Sequence, residues 1–284
     1  MSARIAMWLA ILASTGAVLG EDDLSVEERE TIQRAFPAAK DLDVDNFVGS
    51  ITVDGSDTRE IKIEIHKIIR ARSPEKVQEA KRDVTLDMAQ HQDSLRVYVD
   101  GPFRCKCGDG SINSRGPRYY GYEVSFDFRL QVPRETNLRL RNVNSGNIRV
   151  ENTAGTFDIE NINGGVDLLE VSGSGHAYAL NRPVKVLFSR NPGAASDFGS
   201  LNGDVDISFR PGLSADLWMK TFNGEAYTDF DVSALPSRTA TREQREGKFV
   251  YKTNQFFGVR AGQGGPELKF DAFNGNIRIR NREK

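Results

Sequence analysis

Histidine and cysteine are scarce in this chain, three and two among 284 residues. His66, His91 and His176 form no His-x-x-x-His spacing, so each is expected to be a structural histidine rather than a metal ligand. No charge of one sign predominates: 38 Lys and Arg face 40 Asp and Glu, a formal net charge of −2. A nucleic-acid binder needs a basic face to neutralise phosphates, and this balance argues against one. Phosphate loops and dinucleotide fingerprints are missing too. The glycine-rich segments lead into alternating apolar runs rather than helix N-termini, and no cofactor is expected. Beyond the N-terminus no apolar run approaches the ~20 residues that cross a bilayer.

Patterns that carry chemistry break down on inspection. "GSGH" at Gly173–His176 lacks the Gly-x-Ser-x-Gly of a nucleophile elbow, and a turn explains it better. "DLDVD" sets Asp41, Asp43 and Asp45 at alternate positions, but Asn46 and Thr52 stand where a calcium loop needs Gly and Glu. Those acids fit the solvent face of a strand. Paired carboxylates for glycoside cleavage would have to be assembled by the fold. No enzyme is expected.

What is present begins at the N-terminus. Arg4 precedes an apolar run, Ile5 to Val18, with an acidic start at Glu21. This describes a signal peptide over 1–20, with short side chains at Val18 and Gly20 placing cleavage after Gly20. The mature protein is expected in the periplasm or at the cell surface, not integral to the membrane. Export puts Cys105 and Cys107 of "FRCKCGDG" in an oxidising compartment. A local or intermolecular disulfide in an exposed loop fits them better than a metal, which would need two more ligands.

Residues 21–40 form a polar leader, with a first strand expected around Glu30 to Phe36, ended by Pro37, or else a loose arm. From Leu42 the pattern has period two, as in "ITVDGSDTREIKIEIHKII", the mark of strands with one buried face. One helix interrupts it. Ser73 caps, Pro74 suits the first turn, Glu75 complements the dipole, and Val77 and Ala80 share a face, so the helix runs from Pro74 to about Arg82. A hairpin of "VTLDMAQ" and "SLRVYVD" should follow. In "RYYGYEVSFDF" one regular strand would bury Tyr120, Tyr122, Val124, Phe126 and Phe128. A later strand start would instead leave Arg118, Tyr119, Tyr120 and Tyr122 as a recognition patch for a sugar or partner.

The strongest signal is recurrence. "LNGDVDISF", "MKTFNGEAYTDF" and "FDAFNGNIRIR" repeat an Asn-Gly step, and Gly146, Gly155 and Gly164 lie nine residues apart. Such periodicity points to stacked β units. Gly49, Gly146, Gly164, Asn202–Gly203, Asn223–Gly224 and Asn274–Gly275 are the expected turns, because Asn and Gly tolerate positive φ. Each would close a tight hairpin or mark the corner of a solenoid coil. These segments resemble the bacterial adhesin-like β-repeat family of unknown function, whose relatives include toast-rack-like and head GIN domains. The resemblance spans most of Leu42 to Arg280 and implies a β-solenoid-like fold outside the cytoplasm with no established activity.

The expected fold is all-β, a β-solenoid or β-helix-like stack with one short helical interruption, over residues 41–284, with sub-lobes at 41–130 and 131–284. The expected role is a non-enzymatic envelope or surface module that binds a polysaccharide or protein partner through a long repetitive face, using side chains such as Arg139, Arg141, Arg149, Asp206 and Arg278. The alternatives are a polysaccharide-processing enzyme on a solenoid scaffold and a structural or regulatory element acting through an envelope protein.

Overall fold

The computed structural model describes residues 24–105, 120–236, 241–245, 248–252 and 256–282. Two large sheets of ten and eleven strands face each other, neither closing into a barrel, and one short helix lies against the ten-stranded one. The period-two pattern dictates this arrangement. Inward residues such as Val44, Leu140, Ile159 and Phe270 on one sheet, and Ile51, Ile148, Val166 and Ile277 on the other, are fully buried, while their neighbours point to solvent.

The Asn-Gly steps do not close hairpins. Each joins a strand of one sheet to a strand of the other. A rung here is one such pair of strands. In spatial order the rungs are Asp41–Asp45 with Ile51–Ser56, Asn137–Asn142 with Ile148–Glu151, Phe157–Asn161 with Val166–Val171, and Gly175–Ala179 with Val184–Phe188. Three more follow: Ser196–Ser200 with Val205–Phe209, Glu267–Ala272 with Ile277–Asn281, and Ala215–Thr221 with Ala226–Thr228. Every rung pairs in parallel with the next, in both sheets. The penultimate rung is last in sequence: Glu267–Asn281 inserts between two rungs that follow one another along the chain. Its Phe270 packs beside Phe198 (centroids 5.6 Å apart) and Phe209 (6.4 Å).

Antiparallel strands cover the ends. The polar leader is a twelve-residue strand, Val26–Pro37, longer than the sequence pattern indicates, and it pairs along its whole length with Glu60–Ala71. That strand pairs in turn with Tyr122–Pro133. The helix, Pro74–Asp83, has Ser73 Oγ accepting from the Lys76 amide and buries Val77 and Ala80. The hairpin of Thr85–His91 and Ser94–Asp100 edges the other sheet and turns at Gln92, φ 51°. At the opposite end Phe257–Ala261 and Val232–Ala234 add antiparallel strands. The large apolar side chains left exposed, Phe222, Tyr227, Val232, Phe257 and Phe273, belong to the last two rungs and to these covering strands.

Two columns on the outward faces follow an electrostatic rule, although Asp54 and Glu151 stand opposite each other in a third. Parallel strands lie ~4.8 Å apart, so equal charges in register would repel. The columns alternate instead: Arg149, Asp167, Lys185, Asp206, Arg278 on one sheet, and Arg96, Asp43, Arg139, Asp158, His176, Asp197, Lys269 on the other.

The Asn-Gly corner as candidate functional site

Several arginines read as a free recognition row are engaged internally. Arg141 is bound to Asp158 (2.7 Å) and Glu160 (3.2 Å), Arg139 lies 3.9 Å from Asp158, and Arg149 holds Glu151. Arg278 holds Asp204, and Asp206 holds Arg280 at 2.9 Å. The guanidinium on Asp204 and the Asn276 amide together outweigh the burial of its carboxyl and lower its pKa. Except for Arg149–Glu151, which lies within one strand, these pairs join one rung to another.

The corners present a different chemistry. In register along the stack stand Asn144, Asn163, Asn181, Asn202, Asn274 and Asn223. Each passes an amide hydrogen to the one before it: Asn163 Nδ2 donates to Asn144 Oδ1 at 2.6 Å, Asn181 to Asn163 at 2.8 Å, Asn202 to Asn181 at 2.9 Å, Asn274 to Asn202 at 2.8 Å, and Asn223 to Asn274 at 2.7 Å. The row is solvent-exposed except for half-buried Asn144. A primary amide has two N–H donors and two lone pairs, and the ladder uses one of each. Every inner rung therefore offers one spare donor and one spare acceptor to solvent.

A second row lies beneath it. Buried Asn142 donates to Gly49 O (2.8 Å), and buried Asn161 to Gly146 O (3.1 Å) and Gly165 O (3.0 Å). Ser200 Oγ and Thr221 Oγ1 make the matching bonds to Arg182 O and Gly275 O. These bonds give the corner carbonyls side-chain partners, and Gly165 O accepts from the Ile148 amide as well.

The glycines serve mainly a steric purpose, which corrects the reason expected from the sequence. Of the anticipated turn glycines only Gly49 (φ 114°) and Gly146 (φ 100°) take positive φ. Gly164, Gly203, Gly224 and Gly275 do not; there a Cβ would collide with the neighbouring rung. At Gly164 it would stand 1.8 Å from Gly146 O, at Gly275 2.1 Å from Gly203 O, and at Gly224 2.0 Å from Gly275 O. Gly203 meets Arg182 O in the same way, at 2.5 Å. Close approach of backbones, rather than the direction of the turn, selects glycine at those four positions.

Near the donor end of the ladder the corner opens into a cleft of about 600 Å³, lined by Asn144, Ser145, Asn147, Asp167, Arg182 and Pro183 together with the corner glycines.

The remaining sequence candidates lie elsewhere. Tyr122 is buried, its hydroxyl donating to Asp83 (3.2 Å), with burial pushing the phenol pKa up. Tyr120 is half-buried and donates to Pro102 O (3.2 Å). Cys105 is disulfide-bonded. Its neighbour Arg104 is buried, 2.9 Å from Asp45 and flanked by the rings of Tyr98 and Phe47. Cys107, Arg118, Tyr119 and the N-terminal apolar run lie outside the described residues. His66 contacts Thr31 (3.3 Å) and Glu64 (3.0 Å), His91 is exposed in the hairpin, and His176 stacks with Tyr178. Among the described residues no three His, Cys, Asp or Glu are placed to hold a metal ion, and no helix is long and apolar enough to cross a membrane.

No protein-family model matches the chain, and no curated protein sequence does. Solved structures do. The chain is similar to a provisionally named cell adhesion protein from Clostridium sporogenes, with TM-score 0.40 and 11% identity over 89% of this chain and 100% of that one. It is also similar to a provisionally named adhesin from Bacteroides fragilis, with TM-score 0.33 and 13% identity over 89% and 97%. A provisionally named lipid-binding protein from Parabacteroides distasonis matches with TM-score 0.27 and 12% identity over 88% and 96%. Likeness this distant gives the chain no ligand.

Proposed function

We propose that this is an exported, non-enzymatic envelope or surface module, a two-sheeted β-solenoid that binds an extended envelope polysaccharide along its Asn-Gly corner. The observation that carries the reading is the ladder of six asparagines, five of them exposed and Asn144 half-buried, each fixed by its neighbour. Fixed amides are pre-organised, so a ligand does not have to order them. They are uncharged and recur once per rung, so a polymer lying along the stack meets the same spare donor and acceptor repeatedly. Weak contacts repeated in this way add to a useful affinity. The strand faces suit such binding less well, because their charges already pair across rungs. The apolar run after Arg4 supports export, and the parallel register supports the solenoid description.

The test is co-sedimentation of the protein with insoluble envelope polysaccharides, with soluble fragments assayed in the same tubes. Saturable pelleting without fragment release, weakened in Asn202→Ala, is the expected result. Fragment release would overturn the non-enzymatic reading, and pelleting indifferent to Asn202 would remove the corner as its surface.

A further inference from the structure

The amide ladder has a direction, and its two ends differ. Each Asn Nδ2 points one way along the stack, so Asn223 ends the row with a spare carbonyl oxygen and Asn144 ends it with a spare NH2. The rung before Asn144 places Val48 in register with it, and valine has no acceptor to offer. The Asn144 Nδ2 accordingly forms no hydrogen bond among the described residues. The cleft of about 600 Å³ opens at this end.

Asn163, which also lines the cleft, is engaged in the ladder, but other polar groups there are uncommitted. Asn147 uses its Oδ1 to accept from the Gly165 amide (2.9 Å), and its Nδ2 has no partner among the described residues. Ser145 Oγ has no partner among the described residues, and neither Asp167 nor Arg182 forms an ion pair there, although both line the cleft. Asp167 stands in an alternating column between Arg149 and Lys185, yet Arg149 is turned to Glu151 instead. One opening therefore gathers donors from Asn144, Asn147, Ser145 and Arg182 and one carboxylate that can only accept.

Those groups define the ligand chemically. One acid and one base leave the cleft with no net charge, so it favours neither an anion nor a cation. A carboxylate that only accepts requires a ligand that donates, and the amide, guanidinium and hydroxyl donors require one that accepts. A hydroxyl does both from one atom, and adjacent hydroxyls present two donors to the two oxygens of a carboxylate. An apolar molecule would leave each of these groups desolvated and unpaired. We infer that the cleft is a binding subsite for one unit of an uncharged, hydroxyl-rich saccharide, with Asp167 accepting from neighbouring hydroxyls and Asn144, Asn147 and Arg182 donating to the ring and hydroxyl oxygens. This rests on the polymer-binding reading above and adds where the chain is gripped and by what.

The experiment is an NMR titration of the ¹⁵N-labelled protein with three trisaccharides: cellotriose, N-acetylated chitotriose and the anionic trigalacturonate. The expected result is saturable shifting of the Asn144 and Asn147 side-chain amides by at least one neutral trisaccharide. Asp167→Ala and Arg182→Ala should each weaken that binding about tenfold, the scale of a hydrogen bond to a charged group. Lys185→Ala, in the same charge column outside the cleft lining, should leave it unchanged. Because neither the Asp167 nor the Arg182 side chain forms a hydrogen bond or ion pair among the described residues, both variants should nearly keep the melting temperature, so lost binding is not lost folding. No shift at the cleft with either neutral sugar would overturn the inference, as would a response to trigalacturonate alone. Pelleting with whole polymer that persists when neither neutral trisaccharide touches the cleft would defeat this inference and leave the wider reading standing. Loss of both would defeat the two together.

Discussion

A glycine chosen for close approach and one chosen for positive φ look alike in a sequence, and they respond differently to substitution. At Gly164 an added Cβ lands 1.8 Å from the Gly146 carbonyl oxygen, backbone that cannot swing aside. At Gly193 nothing lies within 4 Å and φ is ordinary. Gly164→Ala should therefore destabilise by about 1–3 kcal/mol as an overpacked site. Gly193→Ala should be neutral or stabilising by about 0.5 kcal/mol through the unfolded chain. Urea midpoints of the two variants decide the matter. Equal midpoints would mean that the rungs separate easily, contrary to the packing described. The recurrence of Asn-Gly was legible in the sequence, as was its place at chain reversals. Its reason was not: which glycine faces another rung's carbonyl depends on register between segments many residues apart, and one sequence carries no register.

At the scale of the element, charged contacts also tie together strands that are not paired with one another. Glu170 takes the clearest such contact: Arg282, near the C-terminus, donates to both of its oxygens (2.7 and 3.0 Å) and also to Phe188 O. These bonds hold the Glu170 carboxyl below its ordinary pKa of 4.5. A pKa lower in the folded than in the unfolded chain means stability that is present above the unfolded value and is lost as pH falls through the folded one. Glu170 is partly exposed, so the contribution is about 1 kcal/mol or less. Arg282→Ala should be less stable than the parent near neutral pH, and the gap should shrink as pH drops below 4.5. A gap that stays constant into acid would mean the pair contributes nothing. The strands themselves were readable, since alternation fixes which residues face inward. The helix was readable too, because Ser73, Pro74 and Glu75 mark its start locally. The alternation of charge between rungs was not, because Arg149 and Asp167 are opposed only after the strands are stacked.

The whole molecule is built against its own chain order. Ser196–Phe209 and Ala215–Thr228 follow one another in sequence, yet Glu267–Asn281 lies between them, and the Asn274–Asn202 bond joins residues 72 apart. The strand Ala215–Thr221 therefore has no parallel neighbour until the last rung arrives. Its side chains Leu217 and Met219 stay in register with Leu268 and Phe270 rather than with the rung before. Contacts so distant in sequence close slowly, and a stack of this kind is stable through neighbouring rungs rather than as one indivisible core. Phe270→Ala should cost about 3–5 kcal/mol as a cavity among Phe198 and Phe209. A chain ending at residue 262 should make the dependence visible. Amide exchange should become fast across Ala215–Thr228, which has lost its parallel partner, while Asn137–Phe188 keeps its protection because each rung there retains both neighbours. Protection of Ala215–Thr228 in the shortened chain would show that this end packs onto Ser196–Phe209 unaided, and the inserted rung would then be an addition to a finished stack instead of the piece that completes it.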